Sequence, residues 1–128
     1  MRRGLSLAEL VVALAIVAVV TAVTTAAQDV ATALAAARNA AVMQGSRTRL
    51  TIAPDTLRID RWRGDSWDAV LRWPGPLAHG VTLEVSNPEV VFDPIGLGWG
   101  VSNTSVVMRR GSRIETLTVS RVGRVKRW

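Results

Sequence analysis

The sequence has no cysteine, no tyrosine, one phenylalanine and one histidine in 128 residues. Without cysteine there is no disulfide framework, thiolate metal site or thiol redox chemistry. That absence does not locate the protein, because a thiol-free chain is stable on either side of a membrane. With His79 as the only histidine, a multi-histidine metal site is excluded, and a His-paired nucleophile has only this ring. No Gly-rich phosphate loop, nucleophile elbow or paired-carboxylate arrangement is visible. We therefore expect neither an enzyme nor a cofactor. Asp60, Asp65 and Asp68 invite a calcium reading, but their spacing lacks a complete oxygen-ligand loop.

What the chain does have is apolar residues, at 48% against 20% charged, which argues against bulk disorder. They are unevenly placed. Residues 5–27 read LSLAELVVALAIVAVVTAVTTAA, with Glu9 as the only charge. As a helix this run rises about 34 Å, enough to cross a hydrocarbon core of about 30 Å. What remains is about eighty residues, near the small end for an independently folding domain. Arg2 and Arg3 precede the run, which favours a cytoplasmic N-terminus with the remainder outside. A cleaved secretory signal with a small-residue site near Thr25-Ala26-Ala27, a twin-arginine variant of it, and a plain membrane anchor all fit this pattern. None of them explains Glu9. A carboxylate inside an apolar helix costs roughly 2.5–3.5 kcal/mol on insertion scales, so it normally has a partner and a function.

Arg2-Arg3-Gly4 followed by Leu5-Ser6-Leu7-Ala8-Glu9-Leu10 resembles the class III signal of type IV pilins and type II secretion pseudopilins. That signal is a short basic leader ending in Gly, then Phe-Thr-Leu-Ile-Glu and an apolar helix; here Leu, Ser and Ala replace Phe, Thr and Ile. The resemblance implies a leader at 1–4, cleavage after Gly4 by a prepilin peptidase and N-methylation of Leu5. It puts Glu9 at the fifth mature position, where the family carries its signature glutamate. There the carboxylate would pair with the terminal amine of a neighbouring subunit. A buried charge pair adds little net stability, but breaking it strands a charge at a cost of several kcal/mol, so such a pair enforces register.

The helix is expected to continue to about residue 45. Val30, Leu34, Ala37 and Ala41 form a core-facing stripe, and Gly45 is the stop. Beyond it the period changes to two. Strands are expected at 48–52, 57–62, 69–73, 81–85, 90–92, 105–109, 113–119 and 122–127, separated by Pro, Gly and Asn turns that include the 96–100 stretch. One long helix followed by seven or eight short antiparallel strands is an α+β arrangement. The expected division is 5–28 for membrane or filament core and 29–128 for a domain in the periplasm, anchored in a bacterial inner membrane.

Two further stretches extend the resemblance. They are the helix-to-strand passage through Gly45 and Arg49-Leu50-Thr51-Ile52, and the C-terminal series Phe92-Asp93-Pro94-Ile95-Gly96, Val106-Val107-Met108 and Leu117 through Val125. Both resemble the GspH/FimT branch of minor pseudopilins and minor pilins, with residues 60–89 showing little similarity. This implies a pilin-like fold, other pilins as partners, and a place in the initiation or tip of a filament.

Residues 101–128 hold seven basic residues against Glu115 alone and so carry the whole net charge of +6. A basic end suggests an anionic partner. In a strand, Arg124 and Lys126 share a face with Trp128, an arrangement that can hold phosphates and stack on a base. FimT-type minor pilins that bind DNA during transformation have a similar Gly-Arg-x-Arg tail, with Lys126 here in place of the second Arg. The resemblance thus implies Arg121, Arg124, Lys126, Arg127 and Trp128 as candidate DNA contacts. The competing expectation is a basic edge strand that discourages edge-to-edge pairing. Trp62, Trp67, Trp73 and Trp99 are expected to supply bulk in the core or under loops, and His79 to lie in a loop.

Overall fold

The computed structural model describes residues 6–95, 104–120 and 125–128. Helix α1 runs Leu7–Gln44, about 57 Å at the α-helical rise. The side chain of Ser6 caps its start, accepting the Glu9 backbone N–H at 3.1 Å. Gly45 ends it in the left-handed region at φ 64°, a conformation open to a residue without Cβ.

The two halves of α1 are packed differently. Residues 6–18 are all exposed, whereas Val23, Ala26, Ala27, Val30, Ala33, Leu34, Ala37 and Ala41 are buried. The buried set recurs at three- and four-residue intervals and so forms one face. It contains the whole expected stripe. Alanines on this face let the strands approach the helix backbone closely enough for the buried Thr48 hydroxyl to donate to the Ala37 carbonyl at 2.5 Å.

Among the described residues eight strands follow: β1 Thr48–Ile52, β2 Thr56–Trp62, β3 Trp67–Pro74, β4 Thr82–Val85, β5 Glu89–Phe92, β6 Thr104–Arg110, β7 Arg113–Val119 and β8 Val125–Arg127. They divide into two four-stranded sheets, ordered β3-β2-β1-β5 and β4-β6-β7-β8. Every pairing is antiparallel. Helix α1 lies against both sheets, touching β1, β2 and β5 of the first and β6 and β7 of the second. Between helix and sheets sit Leu34, Leu50, Leu57, Ile59, Phe92, Val106, Met108 and Leu117, all essentially inaccessible to solvent.

Each expected strand is present within a residue or two at its ends. The 96–100 stretch and the first residues expected for β8 lie outside the described residues. His79, expected in a loop, is instead the last residue of a short 3₁₀ helix, Pro76–His79. Its Nε2 lies 3.0 Å from the Asp29 carboxylate on α1, tying that segment to the helix.

Gly75, just ahead of the 3₁₀ helix, is set by space. A Cβ there would lie 2.6–2.7 Å from backbone atoms of Ala53, Pro54 and Thr56. The contact is held by Gly75 N–H to the Asp55 carbonyl (3.0 Å) and Leu77 N–H to the Pro54 carbonyl (2.8 Å).

Candidate functional site

Two regions bear on function: the exposed first half of α1 and the edge strand β8. In the first, residues 6–18 present apolar side chains on every side of the helix, with Leu7, Val12, Leu14, Ile16 and Val17 each more than half exposed. A helix apolar all round belongs in lipid or in a helix-packed core. Leu7–Gln44 includes an 18-residue window of mean hydropathy 2.6, long and apolar enough to cross a membrane. Glu9 lies within this surface, and its carboxylate has no hydrogen-bond or ion-pair partner among the described residues. Gly4 and Leu5, the expected processing residues, lie outside the described residues.

One role of this segment escapes a reading for membrane spans. Ser6 and Glu9 stand as Ser-x-x-Glu at the helix start, the sequence of a capping box. The Ser6 half of that box is formed. The signal was legible as the spacing of a hydroxyl and a carboxylate before an apolar run.

In the second region, β8 pairs Lys126 with Thr118, Arg127 with Leu117 and Val125 with Val119. Because alternate residues of a strand face opposite ways, Val125 turns to the core and Lys126 turns outward. Trp128 extends the ladder, its backbone N–H donating to the Thr116 carbonyl at 2.8 Å. Its ring Nε1 donates to Thr118 Oγ1 at 3.2 Å, and Lys126 Nζ lies 3.9 Å from the ring centroid. Lys126 and Trp128 therefore share the outer face, as expected.

Arg127 points the other way. It donates to Glu115 Oε1 at 2.9 Å and to Gln28 Oε1 at 3.2 Å, clasping β8 to β7 and to α1. Glu115 is only 13% exposed, so this pair is partly withdrawn from solvent. Of the expected cationic set, Arg127 thus holds the fold, while Arg121 and Arg124 lie outside the described residues. Arg109 on β6 belongs to the same outer face as Lys126, by the strand alternation and the pairings Arg109–Ile114 and Thr118–Lys126.

The outer face of the first sheet carries a polar cluster that sequence reasoning missed. Asp60, 3% exposed, sits directly opposite Arg49. It accepts from Arg49 Nη2 at 2.9 Å and from Arg58 Nε at 3.2 Å. Arg49 also stacks on Trp67, 4.6 Å from the ring centroid, and Trp67 meets Trp62 at 5.2 Å. Trp62 and Trp67 are thus half-buried lids over an ion pair and not core residues, because β2 alternation turns 58, 60 and 62 away from the helix. Trp73 packs against the core, while Trp99 lies outside the described residues. The aspartates do not converge: Asp68 pairs with Arg63 at 2.5 Å. Among the described residues no group of three His, Asp or Glu side chains could hold a metal ion.

Comparison with known proteins agrees with this architecture. Residues 26–123 match the profile of the type II transport protein GspH family, and residues 1–25 match the prokaryotic N-terminal methylation motif. No curated relative matches the chain significantly in sequence. Among solved structures, the chain is similar to the type IV minor pilin FimU of Pseudomonas aeruginosa, with a TM-score of 0.70 at 17% identity over 81% of this chain and 86% of that one. It is also similar to the minor pseudopilin EpsH from the type 2 secretion system of Vibrio cholerae, with a TM-score of 0.67 at 12% identity over 83% of this chain and 95% of that one. These likenesses establish a pilin-like fold. With the family profile covering most of its length and the methylation motif at its start, the chain belongs to the GspH family of minor pseudopilins and pilins, a family of structural subunits.

Proposed function

We propose that this protein is a minor subunit in the initiation or tip of a type II secretion pseudopilus or type IV pilus, working by packing and carrying no catalytic site. It is cleaved after Gly4 by a prepilin peptidase and methylated on Leu5. It waits in the bacterial inner membrane with its β domain in the periplasm, and is then drawn into the filament. The observation that carries this reading is the split character of α1. One half is packed on the sheets, and the other is bare, apolar on all sides and interrupted only by Glu9, whose carboxylate has no partner among the described residues.

In this reading Glu9 sets register by pairing with a neighbour's terminal amine. Capping offers a rival role, and two substitutions separate them. Glu9→Gln keeps a side chain suited to the capping box but removes the charge, whereas Glu9→Ala removes both. If charge pairing is the role, both variants are cleaved normally yet fail to enter filaments, measured as sheared-filament yield against peptidase processing. Wild-type incorporation of Glu9→Gln would contradict it.

The outward Lys126–Trp128 pair favours a second reading, DNA capture by a minor pilin during uptake, with Arg121 and Arg124 adding contacts. Lys126→Ala should then weaken DNA binding and flatten its dependence on salt while leaving thermal stability unchanged. Arg127→Ala should lower the melting temperature, because the partly buried Glu115 loses its partner. DNA binding indifferent to Lys126 and Trp128 would remove this second reading.

A further inference from the structure

In the described part of the β domain, the β6–β7 turn lies beside Val12–Val20 in the first half of α1. Arg110, Gly111, Ser112 and Arg113 form a two-residue hairpin, with Gly111 at φ 59°, as a turn with glycine at its first central position requires. This tip stands beside the apolar half of the helix. Between them runs an open groove of about 550 Å³, with Val12, Ile16, Val19 and Val20 on one side and Ser112 and Arg113 on the other. One wall is hydrocarbon and the other ends in a guanidinium.

The length of bare helix gives this placement a consequence. Residues 6–18 are the stretch left uncovered by the domain, and thirteen residues rise about 20 Å, roughly 10 Å short of a hydrocarbon core of about 30 Å. If the helix anchors the chain in a bilayer, the shortfall is met by thinning the bilayer and by drawing the nearest part of the domain into its surface. The nearest part is the hairpin tip. Its composition suits that boundary: Ile114 is 48% exposed, and amphipathic elements sit about 5–10 Å into the headgroup and acyl region.

The charges are also suitable. The Arg113 side chain, on the groove wall, is exposed and has no hydrogen-bond or ion-pair partner among the described residues, whereas Arg109 faces the opposite, outer side of the hairpin. Arg110 is already used, donating to the His79 carbonyl at 3.2 Å. Nearby acids do not compensate: Glu115 is held by Arg127, and Glu84 lies opposite Val107, up the strand from the tip.

We propose that the β6–β7 hairpin tip is a lipid-binding element, which seats an anionic phospholipid with its phosphate on Arg113 and its acyl chain in the groove along Val12–Val20. It would steady the β domain against the membrane before the subunit is extracted. The proposal rests on the membrane-anchored reading of α1 given above.

The absence of cysteine makes the test direct, since one introduced cysteine carries the only label. Full-length protein is reconstituted into phosphatidylglycerol–phosphatidylcholine vesicles with a spin label at Ser112→Cys. Separate samples carry the label at Leu14→Cys, on the bare helix, and at Ser66→Cys, in the distant β2–β3 turn. Exposure is read as accessibility to a water-soluble nickel relaxant. The Ser112 label should be shielded relative to the Ser66 label. Adding Arg113→Gln should weaken the docking equilibrium by about fivefold, leaving the Leu14 label buried. A Ser112 label as accessible as the Ser66 label, with the Leu14 label buried, would overturn the proposal while keeping the anchor. A water-accessible Leu14 label would overturn the anchor itself. Shielding of Ser112 that arises only when other pilin subunits are added would assign the hairpin to a subunit interface and overturn lipid binding.

Discussion

Asp60 is the residue whose loss the fold should feel most sharply among the charged positions. Its carboxylate is buried against two arginines under the Trp62–Trp67 pair. Asp60→Asn keeps the shape but removes the carboxylate that Arg49 and Arg58 share, leaving Arg49 only its 3.9 Å contact with the half-exposed Glu89. We expect it to destabilise the domain by about 1–3 kcal/mol, whereas the exposed Asp65→Asn should stay within about 0.5 kcal/mol. Chemical denaturation of the two variants beside wild type checks this. Nothing in the sequence distinguished Asp60 from Asp65 or Asp68, because burial on the outer face of a sheet depends on which strands become neighbours. Arg49 and Asp60 are opposite only through β1–β2 register. Glu9 was legible for the opposite reason. A single carboxylate in an apolar run stands out without any knowledge of the fold. Arg127 is intermediate: strand alternation predicts that it faces away from Lys126, but its partners Glu115 and Gln28 come from elements far apart in sequence.

At the level of elements, periodicity carried most of the information. The switch from a helical stripe to two-residue alternation after Gly45 marked the boundary where the helix does end. The strands followed from β-branched runs between turn residues. The partition into two sheets did not, since β4 pairs with β6 and β5 with β1 although β4 and β5 are consecutive. Long-range pairing of this kind is decided by how α1 covers both sheets, which no local pattern contains. The Pro74-Gly75-Pro76 segment reads as a simple break in sequence, yet it is a packed junction. Gly75→Ala puts a methyl group within 2.7 Å of backbone atoms that cannot move independently of the β1–β2 turn. We expect a loss of about 1–3 kcal/mol, as for overpacking elsewhere. A thermal midpoint unchanged by this substitution would mean that the turn yields freely. Gly64 offers the contrast, with open space around its Cβ position and a φ of 101° that penalises a side chain by conformation alone.

For the whole molecule, the organising fact is one helix with two environments. Its second half is a core element, fixed by Thr48, by the His79–Asp29 contact and by the Arg127 clasp. Among the described residues its first half is left exposed, flanked only by the β6–β7 hairpin tip, and must find cover in lipid or in other helices. The family match covering residues 26–123 and the methylation motif over residues 1–25 fall on either side of that same change of environment. The proposed prepilin gives Glu9 a partner in a neighbour's terminal amine, which a plain anchor or a cleaved secretory signal does not provide. The intact mass of the protein extracted from its native membrane tests this account most directly. The account predicts a chain that has lost residues 1–4 and gained one methyl group on Leu5. A chain beginning near Gln28, or one retaining its first four residues in the presence of an active prepilin peptidase, would contradict it.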